Sequence, residues 1–542
     1  MARIHGGRVI ARTLKNEGVD TVFTLTGGHI VPILDGCVDE GIRIVDFRHE
    51  QAATHAAEAW NRLTGQLGVS IVTAGPGVTD AITAVATAHH SATPLLLIGG
   101  RHLVRQDGMG GLQEMDHPAL FGTITAWAGT AWQTERLADS VTTAIRHAFA
   151  GRGGPVFLDV PLDVQFGDVP EETFSFPEAY RPGRPSGADA GALQQIAAAL
   201  QAAQRPVIFA GTGLTAAGGR SLAALAEKIG APTFLNGRAR GALPHDHPLL
   251  GRYTRRAAFA GADVMLALGV DWDFRTGYGQ TINPDATVIH IDADPTRIGW
   301  NRAIPIGIVA DPGTVVEQLA EHLAPDSAGS PSWAAEIATA EHEAATAAAA
   351  EAASDEAPIH PQRFAAEVGR FFGPDAVVAV DGGDIVSTSA RWLQTSTPGH
   401  VLDPGPFGSL GTGPPYAIAA QIAFPDKLVG IVFGDGGFGF NGMEYDTMVR
   451  LGLPIVGVMG NDGVWNNVKT FHEMMFPGRT VAAELGPRPY HEVVAGLGGH
   501  GELVEKADDI RPALERARES GLPALVNVQI AEHRRMSSNY SQ

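Results

Sequence analysis

Two glycine-rich turns carry the residues best suited to chemistry. "GDGGFGFNGMEYD" sets Asp435 between Gly434 and the pair Gly436 and Gly437, and one helix and one strand later "GNDGVW" offers Asn461 and Asp462. Glycines let a backbone approach a ligand closely and turn its N–H groups toward an anion. A carboxylate in the same turn can give an oxygen to a hard cation, and Mg2+ takes octahedral ligation from one or two carboxylates plus phosphate oxygens. Alone, a GDG sequence is more often just a tight turn. Two such turns at the ends of successive strands read as a clamp for a metal-bound diphosphate.

The surrounding elements must deliver those turns to one place. Short apolar runs, "GVDTVFTLTGG", "LGVSIVTAGPG", "ATPLLLIGG" and "GGPVFLDVPLD", alternate with alanine-rich stretches and mostly end in Gly or Pro, as buried parallel strands do. They predict a first α/β domain over residues 1–170. The linker-like "VPEETFSFPEAYRPGRPSGADAG" leads to a second domain over 190–345, with strands in "RPVIFAGTG", "ADVMLALGV" and "ATVIHIDADP" and a closing Ala- and Glu-rich helix. A third domain over 358–530 runs from "AVVAVDGGD" through "LVGIVFGDGG" and "PIVGVMGNDG" to "ALVNVQI", leaving 531–542 as a tail. The fold class expected is α/β, with three open parallel-sheet domains. Ligands of such sheets sit beyond the carboxyl ends of the strands, where both turns fall.

Composition agrees. A chain of 542 residues is long enough for about three domains, and 44% hydrophobic with 18% charged residues is a globular balance. A net charge of −20 with no basic run excludes a nucleic-acid surface. The single cysteine, Cys37, excludes an internal disulfide framework and fits a reducing compartment. "MARIHGGRVIARTLKNEG" has no apolar signal core, and no uncharged apolar run reaches about 18 residues, so a cytoplasmic protein without membrane contact is expected.

The paired turns resemble those of thiamine diphosphate-dependent enzymes, and the resemblance extends over essentially the whole chain. It implies pyrimidine-binding, central and diphosphate-binding domains, in that order. In that family the second turn is a pair of asparagines, the second of which ligates Mg2+ with a backbone carbonyl two residues on. Asp435, Asp462 and Val464 are thus the implied metal ligands. Asp462 departs from the pattern: it keeps an oxygen ligand but adds a negative charge beside the diphosphate. Glu50, in "VDFRHEQAATHAAEAW", matches the family's cofactor-activating glutamate. A carboxyl bonded to the aminopyrimidine ring nitrogen favours the tautomer that removes the thiazolium proton. The competing explanation is the ordinary preference for Glu in a helix's first turn. Other implied cofactor contacts are Gly27, Gly28 and Gly75, then Gly382, Gly383, Ser409, Leu410, Gly434, Gly436, Gly437, Val464 and Trp465. Leu410 matches the apolar residue that props the cofactor in its bent form.

Within the family, His29 in "TLTGGHIVPILDGC" and Gln113 in "GMGGLQEMDHPALF" match the His and Gln that flank the reacting carbonyl in benzaldehyde lyase; acetolactate synthases share the Gln and typically lack the His. "FTLTGGHI", "RHEQAA" and "LGGHGELV" resemble the actinobacterial 2-hydroxyacyl-CoA lyases, where an acid near position 492 is implicated in proton transfer, which implies Glu492 here. The tail "EHRRMSSNYSQ" resembles those that close over coenzyme A in such lyases, with Arg534 and Arg535 for phosphates and Ser537, Ser538 and Asn539 for pantetheine amides. Most chain termini are simply frayed. The activity implied is reversible cleavage of a 2-hydroxyacyl-CoA to formyl-CoA and an aldehyde or ketone. The alternative is acetolactate synthase-like or benzaldehyde lyase-like chemistry on 2-keto acids or hydroxyketones. Asp292 and Asp294 in "IHIDADP" resemble acids that hold a ribose in relatives binding ADP or FAD, against an equally open reading as scaffold. The family's cofactor lies between two chains, which implies a homodimer or homotetramer. The middle domain's "AGTGLTAAGG" lacks the GxGxxG fingerprint, which disfavours a dinucleotide-binding oxidoreductase reading of that domain.

Overall fold

The computed structural model describes residues 3–215, 217–324 and 331–532. Each apolar run named above becomes a strand, and the strands assemble into three open sheets, each parallel throughout. The first lies in the order Arg43–Asp46, Thr21–Leu25, Gly68–Val72, Leu95–Arg101, Pro155–Pro161, Trp127–Thr130. Its central strands are buried along their whole length, so their sequences are continuous apolar runs rather than alternating ones. The third sheet repeats this order with Val401–Leu402, Val377–Asp381, Val429–Gly434, Val456–Asn461, Ala524–Gln529 and His500–Val504. The middle sheet has five strands, Thr233–Leu235, Pro206–Ala210, Val264–Leu268, Thr287–Asp292 and Ile306–Val309. A short antiparallel pair, Arg3–His5 with Asp168–Pro170, ties the start of the first domain to its end.

In all three sheets the first strand lies beside the third. Consecutive connections therefore depart in opposite directions on either side of one strand pair, which opens a crevice at the carboxyl ends of those two strands.

The chain forms two compact units. One takes the chain up to Arg184 together with Pro404–Pro425 and Asn441–Leu451, so two late segments complete the unit of the first sheet. Within it, helix Gly413–Ala423 packs along helix Glu50–Thr64. The contact holds a dry polar cluster: Tyr416 Oη donates to Glu58 Oε2 at 2.7 Å, Arg62 lies 3.6 Å from Glu58 Oε1, and His55 meets the Tyr416 ring edge-on. The second late segment is tied down by Glu444, which accepts from the Arg48 N–H at 3.0 Å and from Thr447 Oγ1 at 2.6 Å. Burial pushes the Glu444 carboxyl up to about 7. The other unit contains the middle and third sheets. No helix of the described residues is long and apolar enough to cross a membrane.

Gly68 fixes how closely helix Glu50–Thr64 lies on its sheet, because a methyl group there would sit 1.9 Å from the Ala57 carbonyl oxygen. Gly68→Ala should therefore lower the thermal midpoint by several degrees or abolish soluble expression. Gly183→Ala, where a methyl meets nothing within 4 Å, should leave both unchanged. Equal midpoints for the two variants would contradict this packing.

Candidate active site

The first crevice opens where Leu25 pairs with Val72. The turn after the first of these strands carries His29; the turn after the second, residues 73–77, is the feature around which the other candidates gather. His29 Nδ1 lies 3.3 Å from Thr73 Oγ1, and the His29 carbonyl accepts from Gln165 Nε2 at 2.7 Å. The ring is buried. Burial above all, then the nearby His102 and His117, hold its pKa below the usual imidazole value, so the neutral base is the favoured form.

Glu50 opens helix Glu50–Thr64 behind an N-cap in which His49 accepts from the Gln51 N–H. Only 9% of Glu50 is exposed. Burial pushes its carboxyl pKa up and Asp80 adds to this, while the helix N-terminus and His49 oppose it. The carboxyl faces the same turn: a methyl group on Gly77 would lie 3.3 Å from Glu50 Oε1.

Gln113 reaches the turn from the other side. Gly75 has φ +60° and ψ −110°, a conformation closed to residues with a side chain, and a Cβ there would lie 2.8 Å from the Gln113 Cβ. Residues 73–77 thus touch His29, Glu50 and Gln113 together. Gly27 and Gly28 belong to the facing turn, where Gly27 packs its bare backbone on Thr73. Ser409 and Leu410, buried and half-buried, precede helix Gly413–Ala423 in this same unit.

The second cluster sits at the crevice of the third sheet. Asp435 follows Gly434 and Asn461 follows Gly460, and those two glycines are paired in register. Asp435 is 3% exposed, and its Oδ2 has no hydrogen-bond partner among the described residues. Desolvation pushes its pKa up to about 6, against the pull of backbone N–H groups. Asp462 Oδ1 accepts from the Val464 N–H at 3.2 Å, and desolvation followed by the charge of Asp435 pushes this second carboxyl up to about 7. A buried acid and a half-buried one thus lie close together, and among the described residues no basic side chain offsets the shift of either. That donor set, with one carboxylate oxygen left bare, fits a hard divalent cation. Gly382, with φ +120°, and Gly383 lead from the neighbouring strand. A Cβ on Gly436 would lie 2.3 Å from the Trp465 ring, so the indole packs directly on the backbone of the first turn.

Other candidates stand apart. Glu492 is exposed on the first turn of helix Tyr490–Gly496. On that turn it is Tyr490 that feels Asp435: burial and then the charge of Asp435 push its hydroxyl up, and its ring lies 5.1 Å from that of Phe438. In the middle sheet Asp292 is fully buried and accepts from the Asp294 N–H at 2.8 Å; Asp294 accepts in turn from Thr296. These bonds organise the strand-end turn itself. Arg534, Arg535, Ser537, Ser538 and Asn539 lie outside the described residues.

Several residues of these sites carry no motif signal. Thr73, beside His29, is a threonine at a strand end. His117 is fully buried and linked to Asp159, which lies 42 residues away in sequence. Asp384 accepts from Asn466 Nδ2 at 3.2 Å, and Asn527 accepts from Asn461 Nδ2 at 3.1 Å. Only the sheet topology brings these pairs together.

Family comparisons match this layout in order. The N-terminal TPP binding domain of thiamine pyrophosphate enzymes matches residues 4–120, the central domain 193–319 and the C-terminal TPP binding domain 381–528. A probable acetolactate synthase of Mycobacterium bovis and an acetolactate synthase large subunit of Mycobacterium tuberculosis are each 42% identical over 97% of this chain and 95% of their own. The 2-hydroxyacyl-CoA lyase 2 proteins of Bos taurus and Homo sapiens are 34% and 33% identical over 97% of this chain and 90% of theirs. With the switch-point turns of the outer sheets falling within the two TPP-binding matches, the chain belongs to the thiamine pyrophosphate enzyme family.

Proposed function

We propose that this enzyme forms or cleaves the carbon–carbon bond of a 2-hydroxy carbonyl compound, acting as an acetolactate synthase-like carboligase on short 2-keto acids. The observation that carries the carbon–carbon bond chemistry is the convergence of His29, Glu50 and Gln113 on residues 73–77, which serves either class of substrate. The mycobacterial relatives, similar along almost their full length, favour a keto-acid donor.

Thiamine diphosphate, when bound, supplies a thiazolium ring that stabilises a carbanion. Asp435, Asp462 and the Val464 carbonyl would hold Mg2+, and the glycine backbone of 382–383 and 434–437 would face the diphosphate. Glu50, with its raised pKa, would hold a proton at the aminopyrimidine ring. His29, kept neutral by burial, accepts the proton of the 2-hydroxyl as the bond breaks and returns it when the bond forms. The Gln113 amide donates to the substrate carbonyl oxygen where negative charge develops.

A second reading, cleavage of 2-hydroxyacyl-CoA to formyl-CoA and an aldehyde or ketone, is favoured by His29, which suits removal of a proton from a carbinol. The lyase relatives at 33–34% identity accord with it. Arg534 and Arg535 with Ser537, Ser538 and Asn539 would then meet coenzyme A. Supplying pyruvate and a 2-hydroxyacyl-CoA in parallel separates the two: acetolactate from pyruvate supports the carboligase, and formyl-CoA released without turnover of pyruvate replaces it with the lyase.

Glu50→Gln should cut turnover by about 100-fold or more while leaving cofactor binding intact; near wild-type turnover would remove Glu50 from the mechanism. In the pH profile, the neutral form of His29 persists below the usual imidazole value of 6.5 and is lost only as pH falls through its lowered pKa. The acid limb attributed to this base should therefore lie below 6.5, and it should vanish in His29→Ala. Asp462→Asn removes a charge from the diphosphate site and retains an oxygen. Titration with thiamine diphosphate and Mg2+, followed by calorimetry, should show tighter binding in this variant and severely weakened binding in Asp435→Ala. Unchanged binding in Asp435→Ala would contradict the metal assignment.

A further inference from the structure

A buried relay ends on the turn shared by the three candidate catalytic residues, and nothing in the mechanism above uses it. His117 is fully buried. Its Nε2 accepts from the Gly75 N–H at 3.0 Å, and its Nδ1 lies 2.9 Å from Asp159 Oδ1, which is also fully buried. Because Nε2 must be bare to accept from an N–H, the ring proton sits on Nδ1 and is donated to Asp159. The tautomer is therefore fixed by its two partners. Arg101, donating to the other Asp159 oxygen at 2.8 Å, fixes the carboxylate.

What this relay holds is strained on both sides. Gly75 occupies a conformation open only to glycine, and Gln113 has φ +60°, a left-handed conformation uncommon for a residue with a side chain. The two meet directly, since a Cβ on Gly75 would overlap the Gln113 Cβ. The rest of the loop has its own anchor, with Glu114 Oε2 accepting from the Gly111 N–H at 2.7 Å. Strain of this kind persists only where surrounding bonds over-determine it. The Gly75 N–H makes a hydrogen bond that ties the turn to the buried His117–Asp159 pair.

We propose that His117, oriented by Asp159, is a positioning residue that locks the Gly75 turn and so sets the Gln113 amide against the substrate carbonyl. The proposal rests on the role given to Gln113 above.

The test is a double-mutant cycle on the full-length, cofactor-loaded enzyme, with amide hydrogen exchange of the cofactor-free protein as a second readout. Gln113→Ala should lower kcat by about 100-fold, the scale of losing one oxyanion donor. His117→Leu should lower kcat by about 10-fold or more with little change in KM, and add less than about 3-fold in the Gln113→Ala background, because residues acting through one another are not additive. His117→Gln keeps an acceptor for Gly75 and a donor for Asp159, and should restore most of the loss. Exchange at the Gly75 amide should be faster in His117→Leu and Asp159→Asn and near wild-type in His117→Gln. Asp159→Asn serves as the second variant should His117→Leu fold poorly.

Fully additive losses in the cycle would overturn the proposal. So would a Gln variant as impaired as the Leu variant at an unchanged thermal midpoint, or Gly75 exchange indifferent to His117. Full activity in Gln113→Ala defeats the catalytic reading of Gln113, and this inference with it, whereas additive losses with an impaired Gln113→Ala defeat only the inference.

Discussion

The structure depends on a constraint of connectivity. Crossovers between parallel strands are right-handed, so a chain that places its second strand on one side of the first and its third on the other must send consecutive connections to opposite faces. The gap this leaves cannot be filled by either helix. In the two outer sheets, the strands that flank the gap are the ones whose following turns carry His29 and residues 73–77, or Gly382, Gly383 and Asp435. Backbone N–H groups at these strand ends and helix starts have no ladder partner, so a ligand can satisfy them without breaking structure.

Burial then sets the chemistry. The same desolvation acts with opposite outcomes on acids and bases: it favours the neutral carboxyl of Glu50 and the neutral imidazole of His29 within one crevice. An acid shifted up and a base shifted down thus lie on either side of one turn. At the other crevice desolvation raises both Asp435 and Asp462, and the charge of Asp435 adds to the shift of Asp462. Such a pair is a local cost to folding, of the kind that a bound cation offsets.

The strands and the order of the domains were legible because fully buried parallel strands write themselves as unbroken apolar runs closed by Gly or Pro, as in "LGVSIVTAGPG". The turns were legible because close backbone approach leaves glycine as the only residue that fits; the Trp465 ring on Gly436 is the physical reason behind that part of the motif. What was not legible depends on contacts between segments far apart in sequence. Nothing near His117 points to Asp159, and nothing in "RPYHEVV" distinguishes the exposed Glu492 from the half-buried Tyr490 beside the charge of Asp435. Asp292 and Asp294 hydrogen-bond their own strand-end turn, an arrangement that sequence alone does not distinguish from a ribose-holding pair.

The late segments that complete the first compact unit change how its site must be understood. Glu50 heads a helix whose next turns carry His55, Glu58 and Arg62, all buried against Tyr416 of the helix that follows Ser409 and Leu410. A buried ion pair contributes little net stability, but removing one partner leaves a stranded charge that is expensive to keep dry. The cluster therefore penalises sliding or rotation of either helix far more than an apolar contact of the same size would. Helix register is thus fixed where Glu50 opens one helix and Leu410 precedes the other. Arg62, about three turns along the helix from Glu50, can in this way govern the position of Glu50 without touching it.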